Sequence, residues 1–394
     1  MTLKPHTRLI IMGTPGFILP TLHRMISEKT PDGEAQFDLV AVYTRAPKPT
    51  GRGLEMLYSP VHQAALDLQQ SYSSSFKIMT PETFKDPKNI EDFKAFKPDL
   101  VVVGAYGLIL PQAILDVPPM GCLNLHASLL PYGRGASPIQ RAILEGKTET
   151  GLTIMKLDAG CDTGLILSKK SIPITPTTTA NDLCLQLAEM GPDLLMQTLH
   201  ENPKGEKQDE SKATYADKIT KQEAQIDWNK PPKAISCQIR AFSSVPGAFT
   251  FVKDDKNRQF RLKIYNALVV DTPFDSKKTQ PGTVLQNNGR IVVACQGGAL
   301  ELTQLQLEGK KCMTGAEFSN GRFLNVGDQF IKIDMDPKVA QQSKNKHPQL
   351  KKKIAHSKAT ETTASVWYLV LYQEFKHWLG SRSKTQTHKP EQSR

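Results

Sequence analysis

Leu9-Ile10-Ile11-Met12-Gly13-Thr14-Pro15-Gly16-Phe17 opens the readable part of the chain. Four consecutive apolar residues run into a turn of Gly, Thr and Pro, and residues 18–26 follow with helical spacing. A short apolar run without polar alternation reads as a strand covered on both faces. The same unit recurs at residues 39–43, 99–104 and 122–126, with helical stretches between them. Strands spaced by helices predict an α/β domain with a Rossmann-like parallel sheet, whose ligands bind beyond the carboxyl ends of the strands. The turn at Gly13 lacks the G-x-G-x-x-G spacing, and no P-loop lysine follows it. A dinucleotide or nucleoside triphosphate site is therefore unsupported, and a strand-to-helix turn accounts for the glycines.

Past Gly151 the pattern changes. Residues 152–157 and 166–174 flank Asp158-Ala159-Gly160-Cys161-Asp162-Thr163-Gly164, which predicts a hairpin on the sheet edge. Residues 180–199 have helical periodicity, and the polar run 204–213 reads as a linker. Beyond it come a helical stretch at 235–241 and short β-rich runs at 248–252, 260–270, 282–285, 290–295 and 300–307. Turn pairs such as Asn288-Gly289 and Gly297-Gly298 separate them, which predicts a small β-barrel. The expected domains are 1–203 and 214–332, joined by 204–213, with a basic tail over 333–394. The tail reads as disordered, apart from an amphipathic helix near 366–379. That helix has three open roles: docking on the body (the default), on a partner, or on a lipid surface.

The chain has 394 residues with a formal net charge of +11. From Ile331 onward there are 13 Lys and Arg against 5 Asp and Glu, so the tail holds 8 of that surplus. The basic charge by itself thus says little about the folded body. None of the six cysteines forms a C-x-x-C pair or stands at zinc spacing with histidine, so reduced core thiols and no metal are expected. No run reaches the roughly 18 apolar residues of a spanning helix, and the start lacks a leader pattern, which predicts a cytoplasmic chain.

Asn124-Leu125-His126-Ala127-Ser128-Leu129-Leu130-Pro131 is the strongest local signal for chemistry. Residues i and i+2 of a strand share a face, so Asn124 and His126 project together at a strand's carboxyl end. An amide donor beside an imidazole suits acyl transfer: the amide can hold an oxyanion and the imidazole can manage a proton. A bare N-x-H, however, more often satisfies backbone groups in a loop. Asp162 sits on a Gly-rich turn, where a carboxylate can orient an imidazole, although such aspartates are commonly structural. Arg45-Ala46-Pro47-Lys48-Pro49-Thr50-Gly51-Arg52 carries three cations after a strand end. Phosphate contact and an ordinary solvated loop are equally good readings of it.

Taken in order, these segments resemble the methionyl-tRNA formyltransferase family from residue 9 to about residue 329. The shared motifs are I-M-G-T-P-x-F, P-x-G-R-G, V-V-V-x-A-Y-G-L-I-L-P, N-L-H-A-S-L-L-P, R-G-A-S-P-I-Q-R-A-I and G-x-T-I-M-x-L-D-x-G-x-D-T-G. T-Y-A-D-K-I, I-D-W and I-R-A-F follow in the second domain. The resemblance implies a Rossmann-like formyltransferase domain followed by an OB-like β-barrel. It implies formyl transfer from 10-formyltetrahydrofolate to the α-amino group of methionyl-initiator tRNA, by a monomer without a metal. It places a catalytic trio on Asn124, His126 and Asp162. Folate contacts fall on Ala105, Tyr106, Gly107, Ser128, Leu129, Leu130, Pro131 and Asp158, and tRNA contacts on Arg45, Lys48, Gly51 and Arg52. Gly133 departs from the family, which often has a bulky aromatic there. The rivals are formyltransferases acting on an amino sugar or a glycinamide ribonucleotide, a 10-formyltetrahydrofolate hydrolase or dehydrogenase, and a non-catalytic RNA-binding barrel.

Overall fold

The computed structural model describes residues 3–50, 55–72, 75–243, 245–253 and 259–333. Gly51, Arg52 and the tail helix expected near 366–379 lie outside the described residues. The first half runs β1 (Thr7–Gly13), α1 (Leu19–Ser27), β2 (Phe37–Tyr43), the hairpin β3 (Lys48–Thr50) and β4 (Glu55–Leu57), and α2 (Pro60–Tyr72). It continues through β5 (Lys77–Met79), α3 (Pro87–Ala95), β6 (Leu100–Gly104), α4 (Gln112–Leu115), β7 (Cys122–His126) and α5 (Pro138–Leu144). It ends with β8 (Glu149–Lys156), β9 (Ile166–Pro173) and α6 (Ala180–Glu201).

Seven of these strands form one sheet in the order β5-β2-β1-β6-β7-β8-β9. The first five are parallel, and the β8–β9 hairpin adds antiparallel to β7. The fold is therefore Rossmann-like with an antiparallel extension at one edge. Strand alternation explains the two apolar layers. Leu9 and Ile11 of β1, Leu100 and Val102 of β6, and Leu123 and Leu125 of β7 face one side, where α1 and α6 cover them. Ile10, Met12, Val101, Val103 and Cys122 face the other side and meet Tyr43, Phe84, Phe93 and Tyr106. Helix α6 starts on a capping box, in which Thr179 and Asp182 each bond the other's backbone N–H. Its Gly191 packs so closely on Leu125 that an added Cβ would stand 2.8 Å from that side chain.

The second half contains α7 (Pro232–Ala241), β10 (Phe249–Lys253), β11 (Gln259–Val270), β12 (Val284–Asn287), β13 (Ile291–Cys295), β14 (Gly298–Leu307), β15 (Met313–Thr314), α8 (Gly315–Asn320) and β16 (Phe330–Ile331). The strands coil in the order β12-β13-β14-β11-β10-β16, with β15 pairing β14. The two ends of that path meet: Val284 N–H donates to Asp328 O (2.9 Å), and Phe330 N–H donates to Gly282 O (2.8 Å). These bonds and the bridge between Thr283 and Gln329 draw the ends together and curl the sheet into an OB-like half-barrel. Irregular pairing at Ile264 to Ala267 lets the 12-residue β11 bend from one wall of the barrel to the next. Ile239 of α7 and Ile143 of α5 belong to a buried cluster that runs without a break from the first sheet into the barrel.

The stretch expected as a linker, 204–213, follows α6 and is fastened to the first half. Ile166 and Glu206 exchange backbone hydrogen bonds (2.9 and 2.8 Å), and the side chains of Gln208 and Glu210 reach back to residues around β7.

Candidate active site

Strand β7 supplies the first two groups. Its inward alternation buries Leu123 and Leu125 on one face, so Cys122, Asn124 and His126 share the other. Cys122 is covered by the second apolar layer, whereas Asn124, one step nearer the carboxyl end, is half-buried. Its backbone is fixed on both sides, by Val103 of β6 and Met155 of β8. Its side-chain amide has no partner among the described residues, which leaves both N–H groups free to donate.

His126 differs in every respect. It is buried, and both ring nitrogens face acceptors. Nε2 lies 2.9 Å from the carbonyl oxygen of Gly133. A carbonyl only accepts, and at 2.9 Å it is the one acceptor at full hydrogen-bond distance from the ring, so we assign the hydrogen of the neutral ring to Nε2 and its lone pair to Nδ1. Nδ1 faces Asp162 Oδ1 at 3.5 Å. The ring can therefore exist neutral, or with one more proton on Nδ1 directed at a carboxylate, without moving.

Asp162 has φ of 55°, a left-handed conformation that aspartate tolerates better than most side chains. Its Oδ2 accepts from the backbone N–H of Gly135 (2.9 Å) while Oδ1 faces the histidine. Asp158 closes the turn instead, accepting from Gly160 N–H (3.0 Å) and Thr163 Oγ1 (2.7 Å). Of the two aspartates on this loop, it is Asp158 that makes the Asx turn.

The residues expected to hold the folate gather on the same rim. β6 and β7 are neighbours in register, Val103 beside Asn124, so the segment 105–107 leaves the sheet alongside His126. Ala105 and Gly107 are exposed and both have positive φ (50° and 84°). Tyr106 between them is buried, with its hydroxyl unpartnered and its carbonyl held by Thr14 Oγ1 at 2.8 Å. Burial pushes the Tyr106 phenol well above its ordinary pKa, so it is a neutral donor. After β7, Thr153 clamps the next turn: its hydroxyl donates to Ser128 O (2.6 Å) and accepts from Leu130 N–H (3.1 Å). Ser128 Oγ donates to Tyr132 O (2.6 Å), Leu129 is half-buried, and Leu130 and Pro131 are buried. Arg45 leaves the end of β2 half-buried beside Glu82, and Lys48 is exposed on β3. Among the described residues no group of three or more His, Cys, Asp or Glu could hold a metal ion. No described helix is long and apolar enough to cross a membrane.

Sequence reasoning missed the groups behind the trio. Arg134 is completely buried, with its guanidinium forked onto Glu210 (2.8 and 2.7 Å) and Nε donating to Gln208 Oε1 (3.0 Å). Gln208 Nε2 in turn donates to the carbonyls of Asp162 and Gly164, each at 2.8 Å. Thr214 accepts from Gly133 N–H (2.9 Å) through its hydroxyl and from Arg134 N–H (2.9 Å) through its carbonyl. Arg134 stood inside a quoted motif, but Gln208 sits in a polar run whose composition says only "loop", and its contacts span 44 and 46 positions.

Comparison with known proteins agrees with this architecture. Residues 9–199 match the family described as Formyl transferase, and residues 218–322 match Formyl transferase, C-terminal domain. The methionyl-tRNA formyltransferase of Gluconobacter oxydans is 41% identical over 325 residues, covering 82% of this chain and all of that one. That of Thiobacillus denitrificans is 42% identical over 323 residues, covering 81% of this chain and 98% of its own. Among solved structures, the N-formyltransferase from Helicobacter canadensis, in complex with folinic acid and dTDP-3-aminofucose, superposes with a TM-score of 0.51 at 19% identity. The match covers 75% of this chain and 98% of that one, and it shows a shared fold.

Proposed function

Because the chain belongs to the methionyl-tRNA formyltransferase family, we propose that it transfers a formyl group from 10-formyltetrahydrofolate to the α-amino group of methionyl-initiator tRNA at Asn124, His126 and Asp162. One observation carries the site assignment. Asn124 offers an unengaged amide on the same strand face as an imidazole pinned between a carbonyl and a carboxylate.

The chemistry follows from proton and charge accounting. The attacking amine must be neutral, and α-amino groups titrate at about 7.7–8.0, so a fraction is ready at neutral pH. As the amine nitrogen bonds to the formyl carbon, negative charge collects on the formyl oxygen. Asn124 donates a hydrogen bond to that oxygen from a fixed strand position, without reorganisation. The amine nitrogen must lose one proton, and N10 of the folate must gain one as its bond to carbon breaks. His126 Nδ1 has room for that proton, with Asp162 Oδ1 facing it to stabilise the imidazolium. No net proton is taken up or released by the residues over the cycle. Exposed Ala105 and Gly107 and the tightly held turn from Ser128 to Pro131 fit the folate beside the pair, with the hydroxyl of buried Tyr106 still unpartnered.

Residues 1–203 would then be catalytic, and the barrel over 214–332 would bind tRNA together with Arg45, Lys48, Gly51 and Arg52. The test offers the enzyme four acceptors with 10-formyltetrahydrofolate: initiator and elongator Met-tRNA, an amino-sugar nucleotide and glycinamide ribonucleotide. Formylation of the initiator alone is expected, and transfer to either small amine in preference to Met-tRNA would overturn the acceptor assignment.

A further inference from the structure

Buried Arg134 and half-buried Gln208, behind the trio, have no role in binding or chemistry as described so far, yet their hydrogen bonds converge on both sides of the imidazole. Arg134 stands between two residues that touch the site: the Gly133 carbonyl takes the Nε2 hydrogen of His126, and the Gly135 N–H holds Asp162 Oδ2. The Arg134 guanidinium, wholly enclosed, hands its Nε–H to Gln208 Oε1. Gln208 spends both hydrogens of its amide on the two ends of the aspartate turn, the carbonyls of Asp162 and Gly164. The loop on one side of His126 and the turn on the other are thus joined by one continuous chain of bonds. That chain is anchored by the charged fork to Glu210.

We propose that Arg134 and Gln208 are positioning residues for formyl transfer, a brace that sets the distance between the Gly133 carbonyl and the Asp162 carboxylate and so fixes the tautomer and orientation of His126. The inference rests on the assignment of His126 and Asp162 above. The hydrogen bonds of both side chains go to protein groups. The hydrogen stays on Nε2, in the 2.9 Å bond to Gly133, only while the Asp162 carboxylate keeps its longer 3.5 Å distance from Nδ1, and a shift of about 1 Å in a reacting group can cost on the order of 10²-fold in rate. Gly164 reports how tight the turn is: a Cβ there would stand 1.8 Å from the Lys156 carbonyl, so the turn has a single tolerated path.

The test uses the full-length enzyme labelled with 15N-histidine, with His126→Ala to assign the ring signals. Gln208→Leu removes the amide, and Gln208→Glu keeps the acceptor for Arg134 but cannot donate to the two turn carbonyls. Gln238→Leu is the control for stability alone, since Gln238 likewise bonds two backbone carbonyls, those of Glu223 and Gln225 (2.6 and 3.1 Å), away from the site. Both Gln208 variants are expected to lose roughly 10- to 100-fold in kcat with KM for folate and tRNA little changed, and to show His126 averaging between tautomers. Gln238→Leu should lower Tm and leave the His126 signals and kcat of the folded enzyme as they are. A Gln208 variant with full kcat, or one whose loss merely follows Tm with the His126 tautomer unchanged, would overturn the brace. His126→Ala that still transfers formyl would instead bring down the catalytic assignment on which the brace rests.

Discussion

Replacing Asn124 by alanine separates catalysis from folding more cleanly than any other change at this site. The strand backbone at position 124 is held by pairing to Val103 and Met155, and alanine leaves those bonds intact. The amide is half-buried and bonded to nothing among the described residues, so its loss strands no buried partner. A stability change within about 0.5 kcal/mol is expected, as for substitutions that break no internal interaction. The rate should behave differently. If the amide stabilises the oxyanion, its removal costs about 10²–10³ in kcat, or roughly 2.7–4 kcal/mol of transition-state stabilisation. Because that bond strengthens only as charge develops, kcat should fall while KM for both substrates stays nearly constant. Single-turnover formyl transfer at saturating folate, with urea unfolding of the same preparation, measures both quantities. A loss below tenfold, or a loss carried entirely by KM, would refute the role given to Asn124.

Gly135→Ala should lower activity sharply, because φ of 114° strains any side chain there by roughly 1–3 kcal/mol and its N–H holds Asp162; an alanine variant with normal kcat would argue against that contact. Thiol labelling of the native protein should reach Cys161 and Cys312, the two exposed cysteines. Burial raises the thiols of Cys122, Cys184 and Cys295 to about 12, so they should react only on unfolding, and fast native labelling at Cys122 would contradict the packing under Asn124. Hydrogen bonds from Arg134 lower the carboxyl pKa of Glu210, and bonds from Thr314 lower that of Glu317. Both stay ionised in the folded chain where the unfolded chain, near 4.5, takes up protons. Their stabilisation is therefore complete above about pH 4.5 and is lost as pH falls through the lowered folded values. Urea midpoints that stay flat or rise from pH 5 to 3 would contradict this. Raising salt should weaken tRNA binding far more than folate binding, since phosphate contacts release counterions; equal sensitivity would count against a phosphate-binding role for Arg45 and Lys48.

The parts of this fold legible in the sequence are those written by local periodicity. β7 was read to the residue because apolar and polar positions alternate into its last turn, and that alternation also placed Asn124 and His126 on one face. The barrel strands were read within a few residues because Gly-rich turns separate them. The helix expected over residues 18–26 is α1, Leu19–Ser27, with Pro20 in its first turn, and it is entered through a 3-10 turn at Gly16–Ile18 that has no periodicity to read. The short strands β3, β4, β5, β15 and β16 have no pattern long enough to read; β5 and β16 exist through pairing with distant partners, whereas β3, β4 and β15 are two- or three-residue arms of local hairpins. The same limit hid Gln208. A glutamine in a polar run looks solvated until the fold brings the aspartate turn to it.

The central claim is that His126, held between Gly133 and Asp162, makes this rim of the sheet a formyl-transfer site. Following labelled formyl from 10-formyltetrahydrofolate onto initiator Met-tRNA, with the intact protein and with His126→Ala, tests it most directly. Transfer by the intact protein, abolished in a variant that still folds and binds folate, is the predicted result. Undiminished transfer by His126→Ala would contradict the account.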